Sequence, residues 1–155
     1  MTGGTHLVLG ALSGATLAAT GLFDSEPLAI AAAMIGALLP DIDHPYSRLG
    51  RKMRPVSDLV ALVFGHRGIT HSLLAILVML VLLLQAPQWL GYAGALAVGY
   101  LSHLAADACT PSGVPLLWPR RRIFRVPGVS IQTGSISEMV VAGIGAMAAF
   151  FVIVR

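Results

Sequence analysis

The chain has 155 residues, of which 56% are hydrophobic and only 11% charged, with a formal net charge of +3. A soluble domain carries about 25% charged residues, and a chain this short has too little interior to hide so much apolar surface from water. The composition therefore excludes an ordinary soluble globule and points to the bilayer as solvent. It carries no acidic or basic tail, repeat or low-complexity tract, and no nucleic-acid partner is expected. The single cysteine, Cys109, cannot close an intramolecular disulfide.

A spanning helix needs roughly 20 apolar residues. The first candidate, 7–23, is preceded by no Lys or Arg, so it is expected to be a retained helix rather than a signal peptide. The second, 28–39, opens after Pro27 and stops at Pro40; at 1.5 Å per residue it covers only about 18 Å. Three more follow at 69–86, 89–106 and 139–154, the last extended backward by 135–138. Lipid-facing backbone must satisfy its own hydrogen bonds, which makes helices the expected form. The expected architecture is all-α: one transmembrane domain over 1–155, an integral membrane helical bundle of about five transmembrane helices, one of them short.

The connections are 24–27, 40–68, the tight turn 87–88, and 107–134. Arg48, Arg51, Lys52, Arg54 and Arg67 fall in the second, and Arg120, Arg121, Arg122 and Arg125 in the fourth. With five crossings those two loops share a side, and the positive-inside rule makes it cytoplasmic. The N-terminus is then cytoplasmic too.

The same face collects the residues that can carry chemistry. His6 lies at the mouth of the first helix, Asp41, Asp43 and His44 follow the second, His66 and His71 straddle the start of the third, His103 and Asp107 end the fourth, and Glu138 begins the fifth. Ionisable groups near a bilayer core are costly and usually functional. In Pro-Asp-Ile-Asp-His (40–44), two carboxylates and an imidazole are of the type that binds Zn, Mn, Fe or Mg. In His-Arg-Gly-Ile-Thr-His-Ser (66–72), Arg67 offers a planar fork to a phosphate or carboxylate, and Thr70 is a candidate N-cap. His103 and Asp107, four apart, share one helix face. Ser135 with Glu138 reads equally well as a capping box. Cys109 is either a soft ligand or a small buried residue.

These motifs, with Ser-His-Leu-Ala-Ala-Asp-Ala-Cys-Thr-Pro-Ser-Gly-Val at 102–114, Leu-Trp-Pro at 117–119 and the Thr-Gly-Ser…Glu stretch at 133–138, resemble the YdjM family, described as membrane-bound metal-dependent hydrolases. The resemblance runs nearly end to end, and the string at 66–72 is its most specific part. It implies an inner-membrane helical protein with metal-dependent hydrolase activity. The His103/Asp107 spacing is also similar to zinc-dependent phospholipase C, as an analogy only.

The expected function is hydrolysis of a phosphoester in a lipid or lipid-linked substrate reached from the cytoplasmic leaflet, at a metal site on the cytoplasmic face of the inner membrane. One or two divalent ions are expected, zinc first, with manganese or magnesium as alternatives. The expected ligands are His6, Asp41, His71, His103 and Asp107. His44 and His66, with Asp43 and Glu138, would hold a second ion or support the first set. Asp43 or Glu138 would act as general base, and Arg67 would neutralise developing negative charge. Arg120–Arg122 and Arg125 would bind anionic headgroups. Two rival readings are a divalent-metal or proton transporter, and a non-enzymatic membrane adaptor.

Overall fold

The computed structural model describes residues 1–120 and 122–155; Arg121, one of the arginines expected at the headgroups, lies outside them. Among the described residues the regular structure is helical, with a single isolated antiparallel bridge between Val114 and Phe124. The helices are α1 (Gly3–Ala18), α2 (Glu26–Leu38), α3 (Arg48–Lys52), α4 (Arg54–Phe64), α5 (Leu73–Leu83), α6 (Ala93–Ala108) and α7 (Ile136–Val154).

Local chemistry explains their ends. Thr2 caps α1 by accepting from the Thr5 N–H, Ser72 caps α5 and Ser135 caps α7. Pro27 sits in the first turn of α2, where its missing N–H leaves no helical bond unmade. After α2 the chain tightens into a 3₁₀ turn, Leu39–Asp43, that carries Pro40 in its own first turn.

Several expectations are corrected. Helix one begins at Gly3 and ends at Ala18, because Thr2 supplies a cap that hydropathy does not register; His6 therefore lies inside α1. Thr70 is not the N-cap of α5. Ser72 takes that place, and the Thr70 hydroxyl is spent on Asp43. The connection 87–88 lengthens into a 3₁₀ turn over Pro87–Tyr92. The stretch 40–68 is not an irregular loop but holds α3 and α4.

Among the described residues, α7, at 19 residues, is the one helix long and apolar enough to cross a membrane. The others run from 5 to 16 residues, and 16 residues cover about 24 Å against a hydrocarbon core of about 30 Å.

The interior is small and polar, the exterior large and apolar. Buried apolar positions are mostly alanines, among them Ala15, Ala18, Ala29, Ala33, Ala37 and Ala95. Exposed positions include Leu77, Val81 and Leu82 on α5 and Ile144, Phe150 and Phe151 on α7. Helices in lipid associate through small residues that let backbones approach. Here α1 packs on α2, α6 and α7, and α2 packs on α6. The α2–α6 contact is backbone to backbone: a Cβ on Gly99 would stand 1.8 Å from the Ala33 carbonyl oxygen, and one on Gly36 would stand 2.0 Å from that of Leu96.

A methyl group at that contact should therefore force the helices apart, whereas Gly143 meets nothing within 4 Å. Gly99→Ala is expected to cost about 3 kcal/mol or more through overpacking. Gly143→Ala should be neutral or stabilise by up to about 1 kcal/mol, since alanine is the better helix former. Thermal unfolding of the detergent-solubilised variants checks both; equal melting temperatures would refute the close approach.

Candidate metal centre

Three imidazoles and two carboxylates from four separate elements meet at one end of the α1/α2/α6 group. They are His6 from α1, Asp41 from the turn after α2, His71 from the 3₁₀ turn Ile69–His71, and His103 with Asp107 from α6. Their donor atoms form two overlapping groups, His6/Asp41/His103 and His71/His103/Asp107, and within each group all donor atoms lie within 4.8 Å of one another. His6, His71 and His103 are 0% exposed and Asp107 is 2% exposed. The i, i+4 spacing does what helix geometry requires, with His103 Nε2 3.8 Å from Asp107 Oδ2.

The hydrogen-bond partners fix how the rings face. His103 Nδ1 lies 2.7 Å from the Ala37 carbonyl oxygen, which accepts only, so the Nδ1–H donates there and Nε2 carries a lone pair. His71 Nδ1 lies 3.1 Å from Asp43 Oδ2, which orients that ring in the same way. The two Nε2 atoms then stand 3.3 Å apart. Where both rings are neutral, two lone pairs face each other at that distance, away from water, and repel unless a cation lies beside them. His6 stacks on His103 with ring centroids 3.6 Å apart, and neither of its ring nitrogens makes a hydrogen bond among the described residues. Buried polar atoms rarely go without a partner. His6 Nδ1 without a partner among the described residues, His6 Nε2 facing Asp107, the opposed Nε2 atoms of His71 and His103 and the mixed imidazole–carboxylate donor set all fit a divalent metal such as zinc.

Around the donors is a tier of groups that hold them. Asp43 is fully buried; its Oδ1 faces His66 Nδ1 at 2.9 Å, and its Oδ2 accepts from the Arg67 N–H at 2.9 Å, from the Thr70 hydroxyl and from His71. Burial alone would raise this carboxyl; the bonds from His66, His71 and Thr70 outweigh it and hold Asp43 well below the usual carboxylate range. Among the described residues, no such donors reach the Asp41 carboxylate. Burial pushes it above that range, against the pull of His6 and His71. Tyr100 adds a further brace by donating to the Thr70 carbonyl.

Arg67 ties the two acids together. Its backbone amide serves Asp43, its guanidinium lies 2.9 Å from Asp107 Oδ2, and the same group donates to the Gly113 carbonyl at 2.8 Å. It does so with φ of 60°, a left-handed conformation that costs a non-glycine residue roughly 1–2 kcal/mol. Strain of this kind persists where the surroundings over-determine it. Asp107 also meets the Met1 ammonium, and His6 Nε2 lies 3.3 Å from its Oδ1.

Not every expected residue joins the cluster. His44 and His66 belong to neither donor group; their rings meet edge to face 4.7 Å apart at the outer rim, and the His66 side chain is 46% exposed. Glu138 accepts from the Thr2 amide, the Thr5 hydroxyl and the Gly134 amide, while its own N–H reaches Ser135. Only half of the capping box forms: Ser135 Oγ accepts from the Glu138 N–H, while the Glu138 carboxylate turns to the Gly134 amide and to α1, and the Ser135 N–H goes to the Gln132 carbonyl. The Cys109 thiol appears in neither donor group, and the Cys109 carbonyl accepts from Ile131. Sequence reasoning missed the Ala37 carbonyl and the reach of Arg67 to Asp107, since neither a backbone acceptor nor a 40-residue span leaves a local signal.

Comparison with known proteins agrees with the motif pattern. The family described as YdjM inner membrane protein matches residues 1–154. The Inner membrane protein YdjM of Escherichia coli (strain K12) is 49% identical over 111 residues, covering 68% of this chain and 57% of that protein, and its Shigella flexneri counterpart gives the same values. The Bacillus subtilis (strain 168) protein YvsG is 40% identical over 146 residues, 93% of this chain and 89% of that protein. The chain spans little more than half the length of the two YdjM relatives. No solved structure matches it. From the near end-to-end family match, the chain belongs to the YdjM inner membrane protein family.

Proposed function

We propose that the chain is a membrane-bound metal-dependent hydrolase acting on a phosphoester of a lipid or lipid-linked substrate from the cytoplasmic leaflet. The observation that carries this reading is the pair of opposed, dry Nε2 atoms of His71 and His103, flanked by Asp107 and by the buried ring of His6. In this reading the five apolar segments cross the bilayer, tilted or with local thinning to suit their length. The two arginine-rich stretches then lie on the cytoplasmic side, where they favour anionic headgroups.

His6, Asp41, His71, His103 and Asp107 would hold the ion. When bound, a divalent ion polarises the scissile group and lowers the pKa of water from ~15.7 toward ~7. Asp43, with four donors on its two oxygens, orients His71 and His66 rather than serving as base. That leaves His66, held through Nδ1 and half open to solvent, to take the proton from the attacking water at Nε2. Glu138 is consumed in joining the start of α1 to α7, so the base role expected for it also passes to His66. Arg67 meets negative charge that develops beside Asp107.

Two cavities meet at His66 and support an amphiphilic substrate. One, about 320 Å³, is lined by Phe64, His66, Arg67, Pro115, Trp118 and Ile123, and combines a cationic end with aromatic and aliphatic walls. The other, about 250 Å³, has a mixed lining that includes Met1, Asp41, His44, Ser47, Arg48 and His66. The first suits a phosphate with the start of its lipid chain, the second the entry of water.

Elemental analysis of the purified protein is expected to find a transition metal in wild type and much less in Asp107→Ala. A metal-free wild type that added Zn or Mn does not restore would end the hydrolase reading. Asp43→Asn should weaken metal affinity about 10–100-fold by freeing His71 to rotate, while Glu138→Gln leaves it unchanged; competition titration against a chromophoric chelator separates the two. Arg67→Gln is expected to lower kcat/KM, expressed per bound metal ion, about 10²–10³-fold on lipid phosphoesters in mixed micelles. Metal uptake into liposomes without hydrolysis would instead favour transport.

A further inference from the structure

The helix that sequence reasoning left inside a loop, α4, wears its apolar face on the wrong side for a soluble protein. A surface helix normally turns its apolar stripe to the core and its charges to water. In α4 the residue that packs inward is Ser57, 0% exposed, against the α3 side of the fold near Gly50. At 100° per residue, Val56, Leu59, Leu62 and Val63 fall on one arc roughly opposite Ser57. Leu62 is 84% exposed and Leu59 60%. The only acid on the helix, Asp58, lies at the edge of this arc, where it pairs with Arg54 at 3.7 Å.

The charges around this face are basic. Arg51, Lys52 and Arg54 are exposed at the N-terminal end of α4. At the other end, Phe64 meets Trp118 edge to face with ring centroids 6.0 Å apart, and tryptophan favours the headgroup level of a bilayer. α4 is 11 residues long, about 16 Å, and too short to cross. An apolar arc, flanking cations and an interfacial aromatic are the features of a helix that lies in the headgroup plane.

We propose that α4 is an interfacial helix seated in the anionic leaflet, with Leu59, Leu62 and Val63 in the acyl boundary and Arg51, Lys52 and Arg54 on lipid phosphates. Charge complementarity selects the anionic bilayer over a second copy of the chain, which would bring the same basic cluster to the contact. The assignment rests on membrane residence and not on the hydrolase reading, so it stands or falls separately from metal content.

The test places a nitroxide at Leu62→Cys or Asp58→Cys, each in a Cys109→Ala background, in the full chain reconstituted into phosphatidylcholine vesicles with or without phosphatidylglycerol. The label at 62 is expected to collide more with dissolved oxygen, and less with a water-soluble nickel chelate, than the label at 58. Adding phosphatidylglycerol should deepen the label at 62. Removing the charges with Arg51→Gln, Lys52→Gln and Arg54→Gln should erase that response, at about fivefold in lipid affinity per residue. Nickel access at 62 equal to that at 58 overturns the proposal. So does a label shut off from both reagents and broadened by a neighbouring spin, which identifies a second copy. A depth unaffected by phosphatidylglycerol overturns the anionic-lipid assignment. Because positions 58 and 62 are compared within one background, any effect of Cys109→Ala is common to both.

Discussion

The candidate centre depends on how closely α2 and α6 approach. Gly36 and Gly99 leave no side chain between the two backbones, and this brings the Ala37 carbonyl within hydrogen-bond reach of His103. That one bond selects the tautomer of His103 and so decides that its Nε2 offers electrons to the centre. A wider helix spacing would leave the ring free to rotate. The packing of small residues and the donor chemistry are thus a single constraint, expressed once in backbone distance and once in ring orientation.

Burial then gives the donors their character. Three histidines without solvent contact and an aspartate nearly without it cannot rely on water to stabilise charge. They must be stabilised by each other, by Arg67, or by a cation. Asp43 and Asp41 stand at a single residue's remove in the chain yet face opposite conditions: one saturated with donors, the other partly buried without them among the described residues. The 3₁₀ turn that holds them creates this division by aiming their side chains to different sides.

Much of this was legible in the sequence. Hydropathy and the prolines at 27 and 40 located α2, and the four-residue step placed His103 and Asp107 together because helix geometry is local. The gathering of His6, Asp41, His71 and His103 is expected from the grouping of Lys and Arg in two loops, but the same reasoning also places there His44, His66 and Glu138, which join neither donor group. What escaped depended on contacts between distant segments. The Ala37 carbonyl has no side-chain signature, and the reach of Arg67 to Asp107 spans 40 positions. The helix α4 was hidden for a different reason. Its apolar residues follow Arg54 and are interrupted by Ser57 and Asp58, so a search for long apolar runs passes over it. The expectation of five crossings rests on composition; among the described residues, helix length supports one, α7.

Arg67 has a further consequence. A single residue hands its amide to Asp43 and its side chain to Asp107, so the separation of those two carboxylates is set by the length of one arginine. The left-handed turn at that residue keeps the amide and the side chain on these two targets at once. Neither acid can shift without dragging the other, and the Gly113 carbonyl anchors the same guanidinium to the far loop. The pocket therefore behaves as a braced frame rather than a set of independent side chains, and its dimensions are fixed before any guest arrives.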